Sequence, residues 1–405
     1  MKWTKSEPEQ LVPIHSWCEQ IEKDALTQAE NLSKHPVIFH HVALMPDCHV
    51  GYGMPIGGVG ALKRAISPNM VGVDIGCGMG AIETTIPVSD LAKETIRKIL
   101  TQVKSVIPRG EGNAHKKDQD WNEFDRYSDT QDNNFYKGWW NKDVWKLAKR
   151  NLGTLGGGNH FIEIQASEEG FVWIMLHSGS RNLGYKIAEF YNKVAIQLNE
   201  KMKISLPSKD LAYLPIDSDE GQAYLKDMQF AMAYARENRA RMMQAFKESI
   251  IEEFDCKFLR EINIHHNFAS LETHFGLDVW VHRKGATSAQ KDEFGIIPGS
   301  MGTPSYITVG LGNPESFCSC SHGAGRVMGR MQASRQLTLE ECDAVMKGIV
   351  YDRWPKGNGW KKKSKGEYDF GEAPQAYKNI DNVIQSQLDL ITPLIKLRPL
   401  GVVKG

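Results

Sequence analysis

Histidines in this chain gather where an apolar run meets a glycine turn. They are His49 in Pro46-Asp47-Cys48-His49, His160 in Gly158-Asn159-His160, His177 in Leu176-His177-Ser178-Gly179-Ser180-Arg181, and His322 in Ser321-His322-Gly323-Ala324-Gly325-Arg326. Strand ends are where a rigid scaffold presents ligands. Asp74 and Cys77, within Val73-Asp74-Ile75-Gly76-Cys77-Gly78, add a carboxylate and a thiol on one glycine turn. An Asp, a Cys and several His together form a metal-ligand set. A thiolate can bridge two divalent ions, and paired ions polarise phosphoryl oxygens. By softness the set suits zinc, iron or manganese. The absence of HExxH and CxxC removes the familiar zinc templates but not zinc itself. The competing reading makes His160 and His177 satisfied core histidines and Cys77 an inert thiol. For His40, His41 and His265, each in or beside an apolar run, that reading is favoured, and His15, His35 and His115 read as surface residues.

His322 is the most suggestive single residue. The glycines after it let backbone approach a ligand closely, and the text predicts a short helix over 322–335 whose start suits an anion. An imidazole placed there can bind a phosphate or attack it. Three more stretches have the chemistry of phosphate binding: Arg283-Lys284-Gly285-Ala286, Pro298-Gly299-Ser300-Met301-Gly302 and Ser178-Gly179-Ser180-Arg181. Each alone is weak, and their concurrence carries the weight. Basic clusters at Lys146, Lys149 and Arg150, at Arg326, Arg330 and Arg335, and at Lys361, Lys362 and Lys363 could track a nucleic-acid backbone, with Trp354 and Trp360 free to stack on bases. For the Lys361 run taken alone, a solvated face is the favoured reading.

The elements that must position these groups follow from pattern. Glycine-punctuated strands occupy residues 35–86, and apolar residues at helical spacing predict a helix over 88–107. Residues 108–141 are polar, aromatic-rich and aperiodic, which reads as an insertion or lid rather than core. Strands at 160–165 and 171–177 precede a helix over 184–201. The longest helix is placed at 221–254, with Asp217 and Glu220 spaced as a capping box. Strands follow at 261–266, 279–283, 294–297 and 305–309. After 322–335 come helices at 337–349 and 376–388, a basic loop at 354–368 and an apolar tail. A single α+β domain over 1–405, with insertions near 108–141 and 354–368, fits best.

Composition sets the limits. At 405 residues, 41% hydrophobic and 24% charged, the chain has the profile of a globular protein. No apolar stretch approaches the roughly 20 residues of a membrane helix and no signal-type run opens the sequence, so a cytoplasmic protein is expected. Seven cysteines without a CxxC pair favour a reduced compartment over a disulfide scaffold. Lys plus Arg and Asp plus Glu number 49 each, so any site for a polyanion must be local.

Read in order, the motifs resemble the RtcB family of RNA ligases. Those carrying the resemblance are Pro46 to His49, Gly72 to Met79, Gly158 to Glu163, Leu176 to Arg181, His266-Asn267, Arg283 to Ala286, Pro298 to Gly302, Ser321 to Arg326 and Lys404-Gly405, a match running from about Pro36 onward and looking like the family's bacterial branch. The resemblance implies an α+β fold peculiar to the family, with sheets around a cleft that holds two manganese ions. Asp74, Cys77, His160, His177 and His266 match the metal ligands, Cys77 bridging. His322 matches the histidine that attacks the α-phosphate of GTP and carries GMP. The chemistry then opens a 2′,3′-cyclic phosphate to a 3′-phosphate, transfers GMP to it, and lets a 5′-hydroxyl displace GMP. Asn159, Glu163, Asn267, Pro298, Gly299, Ser300, Met301, Ser305, Gly323, Ala324, Gly325, Lys404 and Tyr377 would surround the nucleotide, with His160 and His266 touching it as well. Asp47 would help the pocket rather than bind metal. Cys48 stands where a branched apolar residue is more usual, a packing change. The expected partners are GTP and RNA ends, with a monomer as the expected state. Two other readings stay open: a dinuclear-metal phosphoesterase that only hydrolyses cyclic phosphates, and a nucleotide-binding protein that has lost turnover.

Overall fold

The computed structural model describes residues 1–129, 138–355 and 368–405. Two large sheets organise them. The first runs, in spatial order, Trp3–Lys5, Ile14–Ser16, Ile38–Tyr52, Met54–Leu62, Leu277–Lys284 and Asn267–His274. The second runs Phe258–His265, Gly78–Pro87, Phe171–Ser178, Phe161–Ser167, Ile391–Lys404, Ser305–Gly310 and Phe294–Ile297, with Val350–Tyr351 pairing beside Ile391–Lys404. The apolar tail is thus an inner strand, because its alternation buries Ile391, Ile395 and Leu397 against neighbours on both sides.

The longest helix is Asp219–Ile251, 33 residues and about 50 Å at 1.5 Å per residue. Its C-terminal half packs Met242, Met243, Phe246 and Ile250 on Ile82, Ile174 and Leu176 of the second sheet. Its N-terminal half packs Tyr224, Met228 and Tyr234 with Leu183, Ile187 and Tyr191 of the helix Leu183–Lys201. The cap is Ser218, whose hydroxyl accepts from Gly221 N–H, so the expected Asp217/Glu220 box does not form. The helix expected over 88–107 begins at Lys93, after a 3₁₀ turn at Val88–Asp90, and ends at Val106.

Within the described part of 108–141, residues 111–120 are exposed or half-buried, but several aromatic side chains are core. Phe124 and Tyr127, on the short helix Asn122–Asp129, and Trp139 are buried against the long helix. Tyr127, Trp139 and Tyr191 all donate to the buried carboxylate of Asp227, so aromatic content here marks core rather than exposure. Trp354 is likewise buried on Phe370 and donates to Asp343, out of reach of any base. Trp360 and Lys361 to Lys363 lie outside the described residues.

Three further expectations are corrected. His322 does not open a helix: Gly325 sits at φ +72° and the helix begins only at Arg330, ending at Gln336. The two following helices shrink to Leu339–Val345 and Ile380–Gln385. His35 is buried rather than exposed, because its Nε2 reaches the Leu211 carbonyl at 2.9 Å. His15 is half-buried, stacked on His41 with ring centroids 4.5 Å apart, and His115 is half-buried near the Gly153 carbonyl.

Candidate metal and nucleotide site

Strand register gathers the first group. Gly78 pairs with both His265 and Ser178, while His177 pairs with Phe161. Cys77, His177, His160 and His266 therefore emerge at one end of four consecutive strands. Gly78 is required there, since a Cβ would lie 1.9 Å from the Ile264 carbonyl oxygen.

Cys77 Sγ lies 3.2 Å from His177 Nε2 and 3.5 Å from His160 Nε2. His177 Nε2 is 3.4 Å from His266 Nε2, and Asp74 Oδ2 is 3.5 Å from His160 Nε2. The ligand atoms of Cys77, His160 and His177 lie within 4.8 Å of one another. His160 Nδ1 is 2.9 Å from the Leu155 carbonyl, which only accepts, so the hydrogen is on Nδ1 and the Nε2 lone pair faces Cys77. Burial holds His177 and His266 well below the ordinary imidazole value and therefore neutral, the form that binds metal. Burial, reinforced by the Asp74 charge, pushes the Cys77 thiol well up, and a divalent cation would reverse that by favouring thiolate. A sulfur and two imidazoles so close together, with one Asp74 oxygen and the His266 nitrogen beside them, fit a cation better than any pattern of mutual hydrogen bonds. Ser180 steadies Asp74 through its backbone N–H and hydroxyl, each 3.3 Å from Oδ1, and a Cβ on Gly179 would lie 2.4 Å from the same oxygen.

His322 completes a row of imidazoles: its ring centroid is 4.8 Å from that of His266. Asp47, fully buried, accepts from His322 Nδ1 at 2.6 Å and from its backbone N–H at 3.2 Å. A carboxylate on Nδ1 makes that nitrogen the donor and leaves Nε2 with its lone pair. Gly285, at φ +59°, gives the ring room, since a Cβ would stand 3.1 Å from His322 Cε1. His49 also reaches this wall, its Nδ1 2.9 Å from the Asp47 carbonyl.

One cavity of about 610 Å³ connects the groups. Of the expected residues, Asp74, Cys77, His177, His266, Asn159, Asn267, His322, Gly323, Ala324, Gly325, Tyr377, Lys404 and the turn Pro298, Gly299, Ser300 and Met301 line it. His160, Glu163 and Ser305 stand behind its wall. Gln165 donates to Glu163 at 2.7 Å and to the Ser305 hydroxyl at 3.2 Å, and that hydroxyl accepts from Gly299 N–H, so the hidden pair supports the turn. Asn267 uses its amide on backbone, donating to the Asp74 carbonyl and accepting from Gly285 N–H. Burial raises Glu163 to about 7, opposed by Gln165 and by the Lys404 charge.

Arg283 leaves the candidate phosphate set. It is fully buried, paired through both terminal nitrogens with Glu272 and bonded to Ser319 and the Phe317 carbonyl. Lys284 stays on the cavity wall, donating to the carbonyls of Tyr52 and Asn69, and burial lowers it to about 7.

Three residues were not singled out by sequence. Arg239 donates to the carbonyls of Gly76, at 2.8 Å, and Ser178, at 3.0 Å, bracketing Cys77 and His177 from behind. Asn238 accepts from Gly153 and Thr154 N–H and donates to the Gly179 carbonyl. Both fall on the long helix's apolar face, four residues after Tyr234 and Ala235 and four before Met242 and Met243, so a polar pair in apolar register was the available signal. Glu372 gathers Arg326, Arg330, Lys404 and Tyr377 around one carboxylate at the cavity's far wall.

Comparison with known proteins points to one family. The family model described as tRNA-splicing ligase RtcB matches residues 28–405. The chain is similar to the RNA-splicing ligase RtcB of Escherichia coli strain K12, 38% identical over 410 residues covering 97% of each. It is 33% identical over 457 residues to the tRNA-splicing ligase RtcB of Archaeoglobus fulgidus, covering 95% of this chain and 92% of that one. The RNA-splicing ligase RtcB of Mycobacterium bovis is 32% identical over 449 residues, covering 93% and 100%. No described helix is long and apolar enough to cross a membrane.

Proposed function

The chain belongs to the RtcB family, and on that premise we propose that it is a manganese- and GTP-dependent ligase joining RNA 2′,3′-cyclic phosphate or 3′-phosphate ends to 5′-hydroxyl ends. The observation that carries the reading is that the Cys77-centred cluster and the Asp47-oriented imidazole of His322 line one cavity, bridged by His266.

In this reading Asp74, Cys77, His160, His177 and His266 hold two manganese ions, which when bound supply positive charge to offset that growing on phosphoryl oxygens. His322 Nε2 attacks the α-phosphorus of GTP. The bond to pyrophosphate breaks and GMP stays on the imidazole, while Asp47 stabilises the positive charge this creates on the ring. A cyclic end is first opened by water to the 3′-phosphate, whose oxygen then takes GMP from the histidine. The 5′-hydroxyl oxygen attacks the phosphorus of that 3′-phosphate, GMP leaves with the bonding pair, and the hydroxyl proton passes to solvent. Activation is needed because a phosphate monoester is a poor electrophile. Asn159, Tyr377, Lys404 and the 298–301 turn flank the nucleotide, and Glu163 and Ser305 support it.

The test is to incubate the protein with α-labelled GTP and manganese, denature it, and seek label that is acid-labile and alkali-stable. His322→Ala should carry none. Label retained in that variant removes His322 as nucleophile. Opening of a cyclic phosphate with no label and no joined RNA would instead make this a phosphoesterase.

A further inference from the structure

The Asp47 turn is not held by its sheet. Pairing between Ile38–Tyr52 and Met54–Leu62 breaks register between Leu44 and His49, so residues 45–48 bulge out of the ladder. The Asp47 carboxylate hydrogen-bonds through one oxygen, Oδ1 having no hydrogen-bond partner among the described residues. Its placement therefore depends on the backbone that carries it. That backbone is gripped by Lys378, whose ammonium donates to the carbonyls on either side of Asp47, Pro46 at 3.1 Å and Cys48 at 2.9 Å, with Cys18 Sγ at 3.4 Å. The same residue's N–H donates to the Gly325 carbonyl at 2.9 Å, in the loop that carries His322. Gly325 lies so near the turn that a Cβ there would come 2.4 Å from the Asp47 carbonyl oxygen.

We propose that Lys378 is a positioning residue for the nucleophile, clamping the Asp47 turn to the His322 loop so that the carboxylate meets Nδ1 and aims Nε2 into the cavity. The proposal rests on guanylylation of His322 as read above. Loss of the clamp leaves two carbonyls without their donor and lets the turn drift, and a drift of about 1 Å at a reacting group costs on the order of 100-fold in rate. Cavity walls other than this turn are untouched, so GTP and metal binding should persist.

Lys378→Met keeps the stem and removes the ammonium, and Lys378→Gln keeps a donor on a shorter stem. Single-turnover labelling with α-labelled GTP is followed across GTP concentrations, with bound manganese measured in parallel. The expected result is a maximal rate roughly 10- to 100-fold lower in Lys378→Met, a smaller loss in Lys378→Gln, and unchanged half-saturating GTP and metal content. A low-field imidazole proton signal that vanishes in His322→Ala should weaken or move in Lys378→Met. A parental rate in either folded variant overturns the proposal, as does a loss confined to GTP or metal affinity. If Lys378→Met does not fold, the rate in Lys378→Gln decides. Absence of label in the parent protein would instead overturn the proposed function, a distinguishable failure.

Discussion

Asp47 and His322, 275 residues apart in sequence, meet through a 2.6 Å contact between a fully buried carboxylate oxygen and imidazole Nδ1. Replacing Asp47 by Asn keeps size but removes the negative charge, and an amide can present either a donor or an acceptor to the ring. Asp47→Asn should slow labelling of His322 by about 100-fold or more, in single-turnover assays at saturating GTP, with the melting temperature little changed. A rate within a factor of two of the parent would show that the carboxylate does not orient the ring for attack.

Metal should be a stabiliser as well as a reagent. A cation that binds the folded site and not the unfolded chain adds about 3 kcal/mol when present at 100 times its dissociation constant. Chelation should therefore lower the thermal midpoint of the parent and leave Cys77→Ala unmoved, measured by scanning calorimetry with and without manganese. Equal responses in both proteins would remove Cys77 from the ligand set.

Glu163 makes stability depend on pH. Burial raises its carboxyl from 4.5 to about 7, so the folded protein keeps this proton to a higher pH than the unfolded chain does. The contribution is complete below about pH 4.5 and is lost as pH climbs to about 7. Glu163→Gln escapes that loss, and by the worth of a pKa unit its stability relative to the parent should gain about 3 kcal/mol between pH 4.5 and 8. Urea unfolding at several pH values checks this, and parallel curves would mean that Glu163 ionises freely in the folded state.

Arg283 serves the fold. Removing one partner of a fully buried ion pair strands the other and costs about 3–5 kcal/mol, and because Glu272 is only partly buried the loss here should lie at or below the lower end of that range. Arg283→Met should lose up to about 3 kcal/mol in denaturant unfolding while the protein that remains folded binds GTP as the parent does. A stable variant with weakened GTP binding would return this arginine to the phosphate contacts.

Much of the candidate site was readable because several of its residues obey a local rule. Cys77, His160 and His177 each sit at a strand end beside glycine or a turn, and short apolar runs identify such ends without knowledge of the partner strand, whereas His266 was legible only through the family resemblance. What pairs over distance was not readable. The support of Arg239 for Gly76 and Ser178, the Glu272 partner of Arg283 and the Leu211 carbonyl that takes His35 into the interior all depend on which surfaces meet. The aromatic run around Phe124 and Tyr127 misled for a related reason. Without periodicity, its burial comes from the facing helix Asp219–Ile251 and leaves no pattern of its own. At His322 the pattern predicts a helix from 322, while Gly325 in a left-handed conformation delays the helix to Arg330.

The strand Ile391–Lys404 is seated between Phe161–Ser167 and Ser305–Gly310, segments made long before it. As the chain leaves the ribosome, those two strands must wait with bare edges, the condition most prone to pairing with the wrong neighbour. Lys404 lies on the strand seated between them, so the cavity gains this part of its wall only when the sheet closes.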